Sequence, residues 1–250
     1  MAAVVNDRHI GTTAQVTEAE WCRWLTGLPM PPLELDPAAR LVVVSPHPDD
    51  EVLACGGLIA HHVARGGDVA VIAVTDGEAS HAGDAAWPPE RLAAARRAER
   101  LAGLSSLGVA AESVRGLHLP DGGIAAHRST LAEHLRRALS PGDVVVSTWA
   151  LDGHPDHDAT GAEVMQVGVQ CGCRVLAAPV WTWHWSAPAD PRVPWQRLRV
   201  FRLSPAQRQA KRAALACHTT QRAPRTQGRG SVLDGAILAR AERIQEVYFV

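Results

Sequence analysis

The sequence lacks any window of about 18 consecutive apolar residues, the length a membrane-crossing helix needs. Residues 1–17 hold no long apolar run behind a basic start. Both absences predict a cytoplasmic protein with no membrane span. A surplus of one charge is also missing: 25 basic and 26 acidic residues, interspersed along the chain, leave a formal net charge of −1. That balance excludes the broad positive surface of a nucleic-acid binder and suits a small neutral substrate. Paired CxxC spacing is absent, and the five cysteines, Cys22, Cys55, Cys171, Cys173 and Cys217, are odd in number. This pattern argues against a disulfide framework and against a thiolate zinc site. Lysine and tyrosine are almost missing, since Lys211 and Tyr248 are each alone of their type. The preference for arginine, with abundant alanine, reads as the codon bias of a GC-rich genome and suggests no mechanism.

What is present is alternation. At 250 residues the chain can bury one large core. Residues 1–40 read as an extension with a short helix, opened by the capping-box pair Thr17 and Glu20, with Trp21, Trp24 and Leu25 on one face. Residues 41–250 read as the domain proper. Apolar runs at Leu41–Ser45, Val69–Thr75, Val114–Leu119, Asp143–Thr148, Val175–Val180 and Leu198–Leu203 predict strands. Between or beyond them, helical patterns occupy the stretch up to Arg65, then Glu90–Leu107, Thr130–Leu139, Asp156–Val169 and Pro205–His218. The expectation is a single α/β domain, Rossmann-like, with a mostly parallel sheet and helices on both faces. Trp181, Trp183 and Trp185 alternate as a strand would, a pattern that suits core packing or, with His184 and Trp195, a wall for a sugar ring.

Chemistry concentrates at two strand-to-helix turns. The first, Ser45-Pro46-His47-Pro48-Asp49-Asp50-Glu51, crowds three acids into the start of a helix. Acids there complement the helix dipole, a common device worth about 0.3–1 kcal/mol each. A second turn, His154-Pro155-Asp156-His157-Asp158, follows the strand Asp143–Thr148 in the same way. In a doubly wound order 3-2-1-4-5 the two turns meet at the carboxyl ends of neighbouring strands, where ligands bind. Imidazole and carboxylate without thiolate suit Zn²⁺ or another divalent ion, and three protein ligands leave room for water and substrate. Consecutive residues on a helical turn diverge by about 100°, so Asp49 and Asp50 cannot both hold one ion. Spacing does not choose between His154 and His157 as ligand, and both together stay open. A non-ligand His154 can donate to the oxyanion of a tetrahedral intermediate, with Asp156 holding it protonated and oriented.

On these residues the chain resembles the PIG-L/LmbE family of N-acetylglucosaminyl deacetylases, whose hallmarks are an HPDDE segment and a distant HPDH. Both stand unbroken at His47–Glu51 and His154–His157. The likeness extends to Thr75-Asp76-Gly77-Glu78, to Arg96 and Glu99, to Leu119-Pro120-Asp121-Gly122 and to His218-Thr219-Thr220-Gln221. The first forty residues lie outside it. The resemblance implies zinc held by His47, Asp50 and His157, with Asp49 as general base toward water and His154 at the oxyanion. It also implies that Arg96 and Asp121 contact sugar hydroxyls, whereas the residues alone suggest a solvated helical charge and an Asp-Gly turn. Some relatives carry a tyrosine two residues before HPDH, where this chain has Asp152.

The leading expectation is hydrolysis of an N-acetyl group on a small-molecule N-acetylated sugar conjugate. A metal-dependent phosphoesterase or other C–N hydrolase is a second reading, since the same ligands activate water against other electrophiles. A catalytically silent sugar-conjugate-binding protein is a third, opposed by the presence of Asp49 beside a full ligand set. Dinucleotide binding is excluded, because Pro46 and Pro48 stand where the glycine fingerprint belongs. The oligomeric state is not legible in the sequence.

Overall fold

A computed structural model describes residues 8, 10, 11, 13–226 and 230–250. Helix α1 (Glu18–Gly27) starts at the expected capping box: Thr17 Oγ1 accepts the Glu20 N–H at 3.3 Å, and the Glu20 carboxylate accepts the Thr17 N–H at 3.0 Å. There follow β1 (Leu41–Ser45), α2 (Asp50–Ala64), β2 (Val69–Ala73), α3 (Pro89–Ser106), β3 (Val114–Gly116), α4 (Arg128–Ala138), β4 (Val144–Thr148) and α5 (Pro155–Gln170). The chain continues through β5 (Arg174–Ala178), α6 (Thr182–Trp185), β6 (Leu198–Arg202), α7 (Pro205–Ala216), α8 (Thr219–Arg222), α9 (Gly235–Ala241) and β7 (Gln245–Phe249).

One sheet runs in the order β3-β2-β1-β4-β5-β7-β6, giving a single α/β domain. Its first five strands are parallel, and β7 pairs antiparallel with β5 and β6. The central pair, β1 and β4, runs in register from Leu41↔Val144 to Val44↔Ser147, and every residue of both strands is buried. Burial on both faces explains their near-continuous valine. Alternation along β1 sends Leu41 and Val43 to a core with Leu58, Ile59, Leu104 and Leu215, from α2, α3 and α7. Val42 and Val44 meet Leu131, Leu135, Val164 and Val167, from α4 and α5, on the other face. Helices therefore cover both sides, and the turns after β1 and β4 emerge together at one end.

Two elements differ from the sequence expectation. The segment with Trp181, Trp183 and Trp185 is the one-turn helix α6, not a strand. Asp152 is the reason: its carboxylate accepts the N–H groups of Val180, Trp181 and Thr182 at 2.9–3.0 Å, capping that turn from another part of the chain. Trp183 and Trp185 are both buried in a third core cluster with Trp21 and Trp195, where Trp21 and Trp183 meet edge to face at 5.0 Å. Strand β7 was not anticipated and slots between β5 and β6. Outside β6, Leu33 N–H donates to Val200 O at 2.8 Å, and Val200 N–H donates to Pro31 O at 3.0 Å.

Candidate active site

The turn leaving β1 is held from the sheet, with Val74 N–H donating to Ser45 O at 2.9 Å and Thr75 Oγ1 to Pro46 O at 2.8 Å. It ends at Asp49, the cap residue of α2, whose backbone lies at φ 136°, ψ −30°. An L-residue held there stores about 1–3 kcal/mol, a cost that persists where neighbours over-determine the geometry. The turn leaving β4 ends at His154, the N-cap of α5, whose Nδ1 accepts the Asp156 N–H at 3.2 Å. Pro155 follows at the first helical position, where its missing N–H costs nothing.

The two turns bring their histidines and acids together. Asp50 Oδ2 lies 3.2 Å from both His47 Nδ1 and His157 Nε2, and the same oxygen accepts the His47 N–H at 3.0 Å. Ring nitrogens of His47, His154 and His157 lie within 4.8 Å of one another, close enough to share an ion. His47 also belongs to a second such group with Asp121 and Asp156, its Nε2 standing 3.3 Å and 3.1 Å from their carboxylates. Asp49 and Asp50 diverge as the helical turn requires. Asp50 faces the imidazoles, while Asp49 lines the adjoining cavity beside Arg96.

Asp156 sits differently from expectation. Its carboxylate faces His47 and accepts the N–H groups of Gly122 at 2.7 Å and Ile124 at 3.2 Å. Only its backbone N–H reaches His154. The acid orients His47 and the loop at Asp121, because those donors arrive from the segment before α4 and outcompete a neighbour in sequence. Asp152, which sequence reasoning placed only as a missing tyrosine, is fully buried and accepts from His157 Nδ1 at 2.8 Å. An acid five residues before a candidate ligand histidine was the available signal, since such histidines are held by a carboxylate behind them.

That bond places the ring proton of a neutral His157 on Nδ1. Its Nε2, wholly buried, lies 3.2 Å from Asp50 Oδ2. With Nδ1 bonded to Asp152, that contact needs a positive charge, supplied by a second ring proton or by a bound cation in its place. The electrostatics agree. Burial alone drives imidazoles toward neutrality, yet Asp50 and Asp152 outweigh it and hold His157 up at about 9. Burial likewise opposes a charged His47, and Asp121, Asp156 and Asp50 reverse it to raise His47 well above the ordinary range. Burial would raise Asp50, but His157 and His47 hold it far below a normal carboxylate. Mixed imidazole and carboxylate donors around one such position fit a borderline divalent cation.

His154 behaves oppositely, pushed down to about 4 by burial and then by the charges of His157 and His47. Asp49 is raised well above the carboxylate range by burial first and by Asp50 second. Arg96 is 2% exposed, which overturns its reading as a solvated helical charge. One of its N–H groups donates to Gly77 O at 3.0 Å, while Nε and Nη2 are buried without a hydrogen bond. Gly77, at φ +70°, makes room: a Cβ there would lie 2.1 Å from Arg96 Nη1. Asp121 also exceeds a simple turn, with Oδ2 accepting the Ala79 N–H at 2.9 Å while Oδ1 faces His47. The segment His218–Gln221 supports the first turn from behind. Glu99 accepts from Thr219 and Thr220, and Gln221 Nε2 donates to Pro48 O.

These groups floor a cavity of about 300 Å³, the lower end of the range for small-ligand sites. Its wall is apolar, formed by Leu53, Val180, Trp181, Leu233 and Ile237. Trp181 is the one tryptophan of its segment to reach the cavity, and its ring stacks near His154 at 6.4 Å.

Comparison with known proteins follows the same residues. The chain is 36% identical over 156 residues to 1D-myo-inositol 2-acetamido-2-deoxy-alpha-D-glucopyranoside deacetylase of Mycobacterium sp. (strain KMS), covering 52% of this chain and 50% of the relative. It thus spans about half the length of the curated relatives it matches. Among solved structures, a deacetylase of the teicoplanin biosynthesis pathway shares the fold at a TM-score of 0.64 and 20% identity, over 84% of this chain and 97% of that one. A 4-carboxy-2-hydroxymuconate hydratase from Pseudomonas putida KT2440 shares it at a TM-score of 0.52 and 20% identity, over 73% and 80%. The fold alone therefore does not select a reaction. A family description, PIG-L, GlcNAc-PI de-N-acetylase, matches residues 42–168, just over half of the chain and a span that includes both histidine turns. By that match the chain belongs to the PIG-L family.

Proposed function

We propose that this protein is a zinc-dependent deacetylase that hydrolyses the N-acetyl group of an N-acetylglucosamine-type small-molecule conjugate. The observation that carries the reading is the buried Nε2 of His157 standing 3.2 Å from Asp50 beside His47, with Asp49 on the same cavity floor. The Mycobacterium relative, by its name a deacetylase of a 2-acetamido-2-deoxyglucoside, supports the substrate class. His47, Asp50 and His157 would hold the ion, Asp50 Oδ2 standing 3.2 Å from a ring nitrogen of each histidine. Bound there, a divalent cation supplies Lewis acidity toward the acetyl carbonyl and acidifies the attacking water.

The chain's own groups do the rest. Asp49, whose raised affinity for a proton comes from burial and Asp50, accepts the proton of the attacking water. His154 stays neutral, and because its Nδ1 accepts from the Asp156 N–H its own proton lies on Nε2. It donates a hydrogen bond to the developing oxyanion and keeps its proton. Asp49 is then left to return its proton to the departing amine. Arg96, with two unpartnered nitrogens, and Asp121 hold sugar hydroxyls. The free thiols Cys22, Cys55, Cys171, Cys173 and Cys217 support a reducing, cytoplasmic setting.

The test is acetate release from a panel of N-acetylglucosamine conjugates by zinc-loaded protein, beside Asp49→Asn as a control that retains metal. Release that the substitution abolishes supports the proposal. Failure to release acetate from any member, with zinc bound stoichiometrically, overturns it in favour of another scissile bond or a silent binding role.

A further inference from the structure

The chain's one lysine is not a surface residue. Lys211 is 4% exposed, and its ammonium lies 2.7 Å from Glu246 Oε1 while donating to Leu53 O at 2.9 Å. Glu246 is buried too and accepts the N–H groups of Gly57 at 2.8 Å and Leu58 at 2.9 Å. The hydroxyl of the one tyrosine, Tyr248, stands 3.2 Å from Ala54 O and 3.1 Å from Glu246 Oε2. Nothing in the hydrolysis assigned to the cavity uses these groups.

Their targets share one property. Helix α2 is broken at Cys55, where φ −146° and ψ 23° leave the helical region. A break strands the carbonyls before it and the N–H groups after it, each costly when buried without a partner. Lys211 and Tyr248 take the stranded carbonyls at Leu53 and Ala54. Glu246 takes the stranded N–H groups at Gly57 and Leu58. Two glycines permit the approach: a Cβ on Gly56 would sit 3.2 Å from Lys211 Cγ, and one on Gly57 would sit 2.3 Å from Leu203 Cδ2 and 3.2 Å from Glu246 Oε1. The cluster therefore splices a helix whose first part is a single turn beginning at Asp50.

That turn carries the groups assigned to the chemistry. Leu53 N–H donates to Asp49 O at 2.8 Å and Val52 N–H to the same oxygen at 2.9 Å, so a single residue, Leu53, links the Lys211 ammonium to the strained Asp49. A buried ion pair is weak as a source of stability, and apolar side chains of similar volume often replace one without loss. Apolar side chains cannot splice a broken helix. We propose that Lys211, aided by Glu246 and Tyr248, is a positioning residue that fixes the first turn of α2 and thereby aims Asp49 and Asp50. The inference rests on the deacetylase reading for the roles of those two acids, but not for its test.

The experiment compares the full chain with Lys211→Met, Lys211→Arg and Tyr248→Phe, at a temperature where circular dichroism shows each folded. Two readouts are taken: Co²⁺ affinity with its visible absorption spectrum, and kcat and KM for acetate release. Lys211→Met is expected to weaken Co²⁺ binding about ten-fold or more and to alter its spectrum, in the range seen when support behind a metal site is lost. The same variant is expected to lower kcat about ten-fold with KM nearly unchanged, as misaimed chemical groups do. Lys211→Arg should recover part of both, and Tyr248→Phe should fall between. A folded Lys211→Met with Co²⁺ affinity, spectrum and kcat of the parent overturns the proposal and leaves the cluster a stabilising one. If Lys211→Met does not fold, Tyr248→Phe decides by the same criterion. Should the parent release no acetate, the functional proposal fails, while the Co²⁺ measurements still decide this one.

Discussion

Replacing Asp152 by asparagine alters one atom and should loosen the metal centre through the tautomer of His157. Asp152 Oδ1 accepts from Val180 N–H, Thr182 N–H and Thr182 Oγ1 at 2.6–3.0 Å, and Oδ2 accepts from His157 Nδ1 and Trp181 N–H at 2.8–2.9 Å. Asparagine keeps one acceptor, and three donors against two draw its oxygen to the first position. Its NH₂ then faces His157 Nδ1 and the Trp181 N–H. The imidazole must accept there, which moves the ring proton to Nε2, where the ion would bind. Restoring the productive tautomer opposes that contact, and loss of such a partner typically costs 10–100-fold in metal affinity. That range corresponds to about 1.4–2.8 kcal/mol. The orphaned Trp181 N–H adds about 1–3 kcal/mol of lost stability. The assay is Zn²⁺ titration against a competing chelator, beside a thermal melt of the metal-free protein. A folded Asp152→Asn that binds Zn²⁺ as tightly as the parent would falsify the assignment of the His157 proton to Nδ1.

Asp49→Asn should keep its zinc, measured by elemental analysis, and lose about 10²–10⁴-fold in kcat for acetate release, as expected for a missing general base. Gly77→Ala places a methyl against the Arg96 guanidinium at a positive φ. Substrate titrations should then show a KM rise larger than any fall in kcat, and an unchanged KM would remove Arg96 from sugar binding. His218 is fully buried, both ring nitrogens lack a partner, and burial lowers its pKa from 6.5. Because the unfolded chain takes up the proton that the folded one refuses, this contribution is whole above pH 6.5 and is lost as pH falls below it. His218→Leu should therefore flatten the acid limb of a stability profile measured by denaturant titration at several pH values, and an equally steep limb would count against the argument.

The two histidine turns were legible because their chemistry is contiguous in sequence and each follows a buried valine strand, a pattern that topology converts into proximity. What escaped depends on distant partners. The α6 turn exists because Asp152 caps it from about thirty residues upstream, and no local pattern in Trp181–Trp185 announces that donor count. The carboxylate of Asp156 turned to Gly122 and Ile124 for the same reason. Arg96 looked like a surface charge, since an arginine on an amphipathic pattern does not reveal that its own face is buried. Lys211 was passed over as codon bias because the break it bridges lies inside a run, Asp50–Ala64, with no proline to mark it.

The segment along β6 has a consequence for the company this protein keeps. Open sheet edges template pairing with other chains, and this sheet has only two. One is β3, just three residues long and too short to recruit a partner strand well. The other, β6, has its central backbone groups at Val200 already taken by Pro31 and Leu33. Any edge-to-edge assembly on that side must first peel this segment away, with Trp21 and the tryptophan cluster resisting. The arrangement guards this edge, and trimming the chain before Leu41 should promote association through β6, read as a larger particle in size-exclusion chromatography.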